Sequence, residues 1–133
     1  MTIFSALGVA GTGMVTSRKW LDAISDNLAN INDVSRTSDK AYQARYIEAK
    51  PLAYGADPGG VQVSGVLLGS AAGRTVYMPD HPLADKDGYV RTPDIDMASQ
   101  MTQLIMAQRG YQANVAALDR AKAAYETALA FGK

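Results

Sequence analysis

Few side chains in this sequence of 133 residues have the types and spacing that could do chemistry. Asp80 directly precedes His81, the single histidine, and a carboxylate can orient an imidazole as a general base. Adjacent residues in an extended segment point in different directions, Pro82 follows, and no Gly-x-Ser-x-Gly turn marks a nucleophile, so the pair reads as a surface loop. Asp85, Asp87 and Gly88 have the spacing of the middle of a calcium loop. Leu83 stands at the first ligand position, however, and Asp94 replaces the bidentate Glu at the twelfth, which leaves a solvated Asp-Gly turn. Gly11, Thr12 and Gly13 make no phosphate loop, since no strand precedes them and no Lys follows at the required spacing. The chain has no cysteine, which removes disulfides, thiol catalysis and Cys-ligated zinc. The expectation is a protein without catalytic residues, metal or cofactor, and without a small-molecule substrate.

Charge points the same way. There are 13 Lys or Arg against 13 Asp or Glu, so nucleic acid is not an expected partner. Arg18, Lys19 and Trp20 are balanced by Asp22 and Asp26 within two turns and read as a solvated helix face. The first 17 residues carry no charge, but eight of them are Ser, Thr or Gly and the first cations follow the stretch. That order does not match a cleaved signal peptide or a membrane span, and a retained N-terminus is expected.

What remains is the framework. All five prolines (Pro51, Pro58, Pro79, Pro82, Pro93) lie in the middle, and both flanks are free of them. Leu7, Met14, Leu21 and Leu28 recur every seven residues, interleaved with Ala10, Ser17, Ile24 and Ile31. The C-terminal flank repeats this with Met97, Leu104, Tyr111, Leu118 and Tyr125, interleaved with Met101, Gln108, Val115, Lys122 and Leu129. At 1.5 Å per residue, helices over 3–31 and 95–131 would be about 43 and about 55 Å long, beyond the ~36 Å diameter of a compact globule of this size. The predicted fold is therefore mainly α: long N- and C-terminal helices, parallel or antiparallel, packed as a coiled-coil-like pair. Residues 1–33 and 94–133 form the helices and 34–93 a small irregular β-containing segment, together one elongated domain.

Strands are predicted over 41–49, 61–68, 75–78 and 89–91, with turns at Pro58-Gly59-Gly60 and Asp87-Gly88. Pro93 and Asp94 are the expected start of the second helix and Gly132 its expected stop. The glycines at 8, 11, 13 and 110 each cost a helix about 1 kcal/mol against Ala, so the first N-terminal turns are expected to firm up only on assembly. The apolar heptad residues (Leu7, Met14, Leu21, Ile24, Leu28, Ile31, Met97, Met101, Leu104, Tyr111, Val115, Leu118, Tyr125, Leu129) form the expected assembly interface, though an internal core explains them equally well. Asn27 and Asn30 read as a helix-end motif that hydrogen-bonds departing backbone.

Three segments carry a resemblance. Asp26-Asn27-Leu28-Ala29-Asn30 resembles the Ser/Asp-Asn-Leu-Ala-Asn signature of bacterial flagellar axial proteins. The run from Tyr77 to Asp96, with Pro82-Leu83-Ala84-Asp85 and Gly88-Tyr89-Val90, is similar to a block of the proximal rod proteins within the flagellar basal-body rod family. Arg109 to Val115, containing Tyr111, Gln112, Ala113 and Asn114, looks like a helix segment of that family. Asp94 stands where the family usually has Asn, and Gly110 where Ser or Ala is common. The longer distal rod and hook proteins carry inserted domains that this length cannot hold.

The resemblance implies a structural subunit that passes through the flagellar type III export apparatus and assembles helically into the periplasm-spanning rod, transmitting torque to the hook. Implied partners are copies of itself and other rod proteins, with room for a membrane-ring protein. A free-standing helical adaptor that dimerises through its heptads is the alternative.

Overall fold

The structure, a computed structural model, describes residues 3–54 and 57–131. In chain order it contains α1 (Ile3–Ala29), β1 (Arg45–Tyr54), β2 (Asp57–Leu68), β3 (Arg74–Tyr77), β4 (Tyr89–Thr92) and α2 (Met97–Phe131). This is a mainly α chain with a β-containing middle, as the proline distribution and heptads predict. The helices have 27 and 35 residues. None of the described helices is long and apolar enough to cross a membrane.

By internal contacts the chain divides into two compact units. Unit 1 comprises Met1–Leu21, Ile47–Gly65 and Leu104–Lys133. In it, α1 and α2 run antiparallel: Phe4 meets Tyr125 edge-on with ring centroids 5.6 Å apart, and a Cβ added to Gly13 or Gly110 would sit 2.6 Å from Asn114 Oδ1 or 3.3 Å from Ser17 Oγ. Small residues let the helices approach this closely, and Ala10 and Ala107 are buried there. The β1–β2 ribbon is fastened to α1 through Thr12, whose hydroxyl accepts from Val61 N at 3.1 Å and donates to Val9 O at 2.8 Å. Pro58-Gly59-Gly60 lies within β2 and is not the predicted turn. Gly60 (φ +114°) is required for a different reason: a Cβ there would collide with the Thr12 hydroxyl.

Unit 2 comprises Asp22–Tyr46 and Val66–Gln103. Its core contains Ala23, Ile24, Ala41, Ala44, Val90 and Ile95. β3 and β4 pair antiparallel with Val76 opposite Val90 and Tyr77 opposite Tyr89, and Ser35 bridges to Arg91. β1 begins later than predicted because residues 41–44 are used otherwise: Ala41 N donates to Ala71 O and Gly69 N to Ala44 O. The segment 78–88 joins β3 to β4, so Asp87-Gly88 is one corner of a longer loop and not a tight hairpin. Asp96, not Asp94, caps α2, accepting from Ser99 N at 2.7 Å. Asp94 is drawn aside by Arg74, at 3.5 Å, whose guanidinium also donates to the carbonyls of Pro93 and Ile95. Gly132, the predicted stop of α2, lies outside the described residues.

Gly73 (φ +58°) leads into β3, where a Cβ would run into the Thr92 carbonyl oxygen and stand 2.6 Å from Ala41 Cβ. Gly73→Ala is expected to cost about 2 kcal/mol or more in chemical denaturation. Gly8→Ala, in open space on α1, should be neutral or stabilising by up to about 1 kcal/mol.

Candidate assembly interface

In unit 2 the sequence motif at the end of α1 divides its labour. Asn30 ends the helix as predicted, its Nδ2 donating to Asp26 O at 2.8 Å. Asn27 does something else: it is 1% exposed, and its amide pairs with both backbone groups of Arg45. Nδ2 donates to Arg45 O at 2.9 Å, and Oδ1 accepts from Arg45 N at 2.8 Å. Nδ2 also donates to Oε1 of Gln100, itself 1% exposed, at 3.1 Å, and the Tyr42 hydroxyl donates to Oδ1 at 3.4 Å. All the capacity of one amide is used. Burial pushes the Tyr42 phenol above its ordinary pKa, with Arg45 partly offsetting, so it stays a donor. The neighbouring Arg45–Asp26 ion pair at 2.7 Å is half-exposed and adds about 0–1 kcal/mol.

The heptad residues fall into three groups. Ile24 is buried, while Leu7, Met14, Leu21 and Leu28 on α1, Ile31 in the turn beyond the end of α1, and Leu104, Tyr111, Val115 and Leu118 on α2 are half-buried. Met97, Met101, Tyr125 and Leu129 are exposed. The most buried line of α2 is Gln100, Ala107, Asn114, Ala121, which a search for large apolar residues passes over because its members are small or polar. Asn114 Nδ2 donates to Gly110 O at 2.8 Å, and its side chain faces Gly13. Gln112, Ala113 and Ala29 are exposed. From Asp119 to Phe131 every residue of α2 except Ala121 is exposed, including Leu129 and Phe131.

The loop residues that first suggested chemistry are occupied by the loop itself. Asp85 Oδ1 accepts from Asp87 N at 3.0 Å and Tyr89 N at 2.9 Å, and Oδ2 from the Thr37 hydroxyl at 2.9 Å. The Tyr89 N–H foremost, then Thr37, Asp87 and Gly88, hold its carboxyl below the ordinary carboxylate pKa against the opposing effect of desolvation. His81 Nδ1 accepts from Leu83 N at 3.2 Å. Among the described residues, no group of three or more His, Cys, Asp or Glu is placed to hold a metal ion.

Residues 86–130, which include β4 and most of α2, match the family described as flagellar basal body rod FlgEFG protein C-terminal. The flagellar basal-body rod protein FlgC of Salmonella typhimurium is 32% identical over 134 aligned residues, covering all of both chains. The FlgC of Escherichia coli O157:H7 is 33% identical with the same coverage, and that of Borreliella burgdorferi 32% identical over 98% of this chain and 97% of its own. The chain belongs to the FlgC family of flagellar basal-body rod proteins. It is a structural subunit of the basal-body rod, not an enzyme, and it assembles with other rod components. The free-standing adaptor finds no support in these relatives. For this FlgC-family chain, the partners of Asn27 were the part that sequence reading missed: Gln100, Tyr42 and the Arg45 backbone lie far from it along the chain. The available signal was a Gln at the start of a helical face that otherwise carries small residues.

Two outcomes follow from this geometry. Asn27→Ala leaves the Arg45 backbone groups and Gln100 without their partner and should cost about 3 kcal/mol in urea unfolding, against about 1 kcal/mol or less for Asn30→Ala. Because the folded Asp85 carboxyl is held below its unfolded value, its contribution is fully present above that ordinary value and lost as pH falls through the depressed one. Amide exchange at Tyr89, normalised for intrinsic rate, should accelerate on acidification below about pH 4, and Asp85→Asn should remove that acid step.

Proposed function

We propose that the chain is a proximal-rod subunit that packs helically with its neighbours and carries torque from the membrane-embedded ring towards the hook. The observation that carries this reading is the run 119–131 of α2, helical yet exposed on nearly all sides, with Leu129 at 55% and Phe131 at 87%. Although the run continues the 35-residue α2 and packs on Phe4 through Tyr125, its uncovered apolar side chains call for cover from neighbouring subunits. Met97, Met101, Ile105 and Met106, also exposed, extend the uncovered apolar surface along α2. Coiled-coil-like seams made from the heptad residues named above supply that cover, and a shaft built on many such contacts shares load among them. The reading includes delivery of the subunit by the flagellar type III export apparatus. On this reading the protein lies in the periplasm-spanning part of the basal body, next to other rod proteins and within reach of a membrane-ring protein.

Mass spectrometry of purified hook-basal bodies should find the chain at low copy number, well below the hook protein; its absence from complete particles would contradict the assignment. Leu129→Asp, at an exposed position, should leave the circular dichroism and export of the chain unchanged. It should lower incorporation into basal bodies at least about tenfold, corresponding to a loss of about 1.4 kcal/mol per contact. His81→Ala in the same strain should leave motility intact.

A further inference from the structure

The zero net charge of the chain hides a division between its units. Counted over the sequence, unit 1 carries seven Lys or Arg against four Asp or Glu, and unit 2 carries six against nine. In unit 1 the basic residues Arg18 and Lys19 are exposed in the turns of α1 that also line a groove. That groove, about 290 Å³, is walled by Ser17, Trp20, Ile47, Ala49 and Val61, with Gly13 opening its floor. In unit 2 the β3–β4 pair displays two stacked rings: Tyr77, 62% exposed, and Tyr89, 41% exposed, edge-on with centroids 5.2 Å apart. Tyr77 is set in place from below, because a Cβ on Gly88 (φ +82°) would lie 2.7 Å from its ring. Asp80, Asp85 and Asp87 stand near the rings and are exposed, with Lys86 between them, Arg91 two residues along β4 from Tyr89 and Arg36 beside Asp85. Neither Arg18 nor Lys19, and neither Asp80 nor Asp87, enters an ion pair among the described residues.

We propose that the Trp20 groove of one copy receives the Tyr77 ring of a second copy, with Arg18 and Lys19 facing that copy's Asp80 and Asp87. A pre-set aromatic side chain entering an apolar groove is the usual anchor of an interface, and opposite charges around it fix register and suppress wrong partners. The occupant is a second copy because the unit that carries the groove has three more basic than acidic residues and the unit that carries the ring has three more acidic than basic. Groove and ring belong to different units and are not the same patch, so the contact is heterologous and propagates from subunit to subunit until a rotation closes it. This deepens the self-assembly part of the rod reading and rests on copies of the chain meeting one another in the rod.

Trp20 is the only tryptophan, so emission excited selectively over the seven tyrosines reports on the groove. With the purified full chain at low salt, emission should shift to the blue as concentration rises to about 100 µM, with matching growth in sedimentation. In about 1 M NaCl, where the Debye length is about 3 Å, the midpoint should rise at least about tenfold. Tyr77→Ala, checked for folding by circular dichroism, should lose the shift. Mixed with Trp20→Ala chains, it should regain the shift and stop at one-to-one pairs, since each variant keeps one competent half. Should Trp20→Ala unfold, Lys19→Asp and Asp87→Lys replace it: each alone weakens association, and mixing them restores it. A shift retained by Tyr77→Ala alone, association without any Trp20 shift, an unchanged midpoint at high salt, or no association at all would each overturn the contact. None of those results bears on whether the chain is present in basal bodies, which tests the rod reading separately.

Discussion

One buried amide ties together three parts of unit 2 that are remote in sequence. Asn27, near the end of α1, pairs with the backbone of Arg45 as a neighbouring strand would, and hands a further hydrogen bond to Gln100 in the first turn of α2. A buried polar group unpaired costs about 1–3 kcal/mol, whereas a fully paired one fixes direction and distance at once. The entry of the chain into β1 and the start of α2 are therefore set relative to the end of α1 by chemistry that tolerates little displacement. Arg74 gives a second, softer restraint on the approach to α2 through the carbonyls of Pro93 and Ile95. The capped turn of Asp85 holds the loop before β4 in the same way.

Unit 1 is held by a different principle. Its helices approach through Gly13, Ser17, Gly110 and Asn114, and that closeness leaves the larger apolar residues at the margins. Ala10 and Ala107 are buried, while Phe4, Val15, Met106, Leu129 and Phe131 remain more than half exposed. For a monomeric protein such uncovered surface would be a liability, and the rod packing proposed above would cover it. Gly110 sits close to this contact: a Cβ there would lie 3.3 Å from Ser17 Oγ, tight but open to a small shift of that side chain.

Much of the architecture was legible because long-range periodicity survives in sequence. The heptads and the confinement of proline to the middle located both helices to within about two residues at most ends, within the accuracy that helix boundaries allow. The motif residues 26–30 and 77–96 identified the family before any geometry was known. What could not be read were choices made by tertiary contact. Asp94 and Asp96 both suit a helix cap in isolation, and only the fold shows that Asp96 takes that place while Asp94 pairs with Arg74. Gly59-Gly60 has the composition of a turn, and only the approach of Thr12 shows that Gly60 serves close packing within β2. Asn27 reads as a helix-end residue because its partners lie 18 and 73 positions away.

The central claim is that the region around Asn27 is stable by its own contacts, while the exposed end of α2 depends on neighbouring subunits. Hydrogen–deuterium exchange on the free chain and on the same chain within purified basal bodies addresses it most directly. Amides near Asn27, Arg45 and Gln100 should be protected in both, and those of residues 119–131 should exchange fast in the free chain and slowly once assembled. Slow exchange over 119–131 in the free monomer, or fast exchange there within the assembled rod, would contradict it.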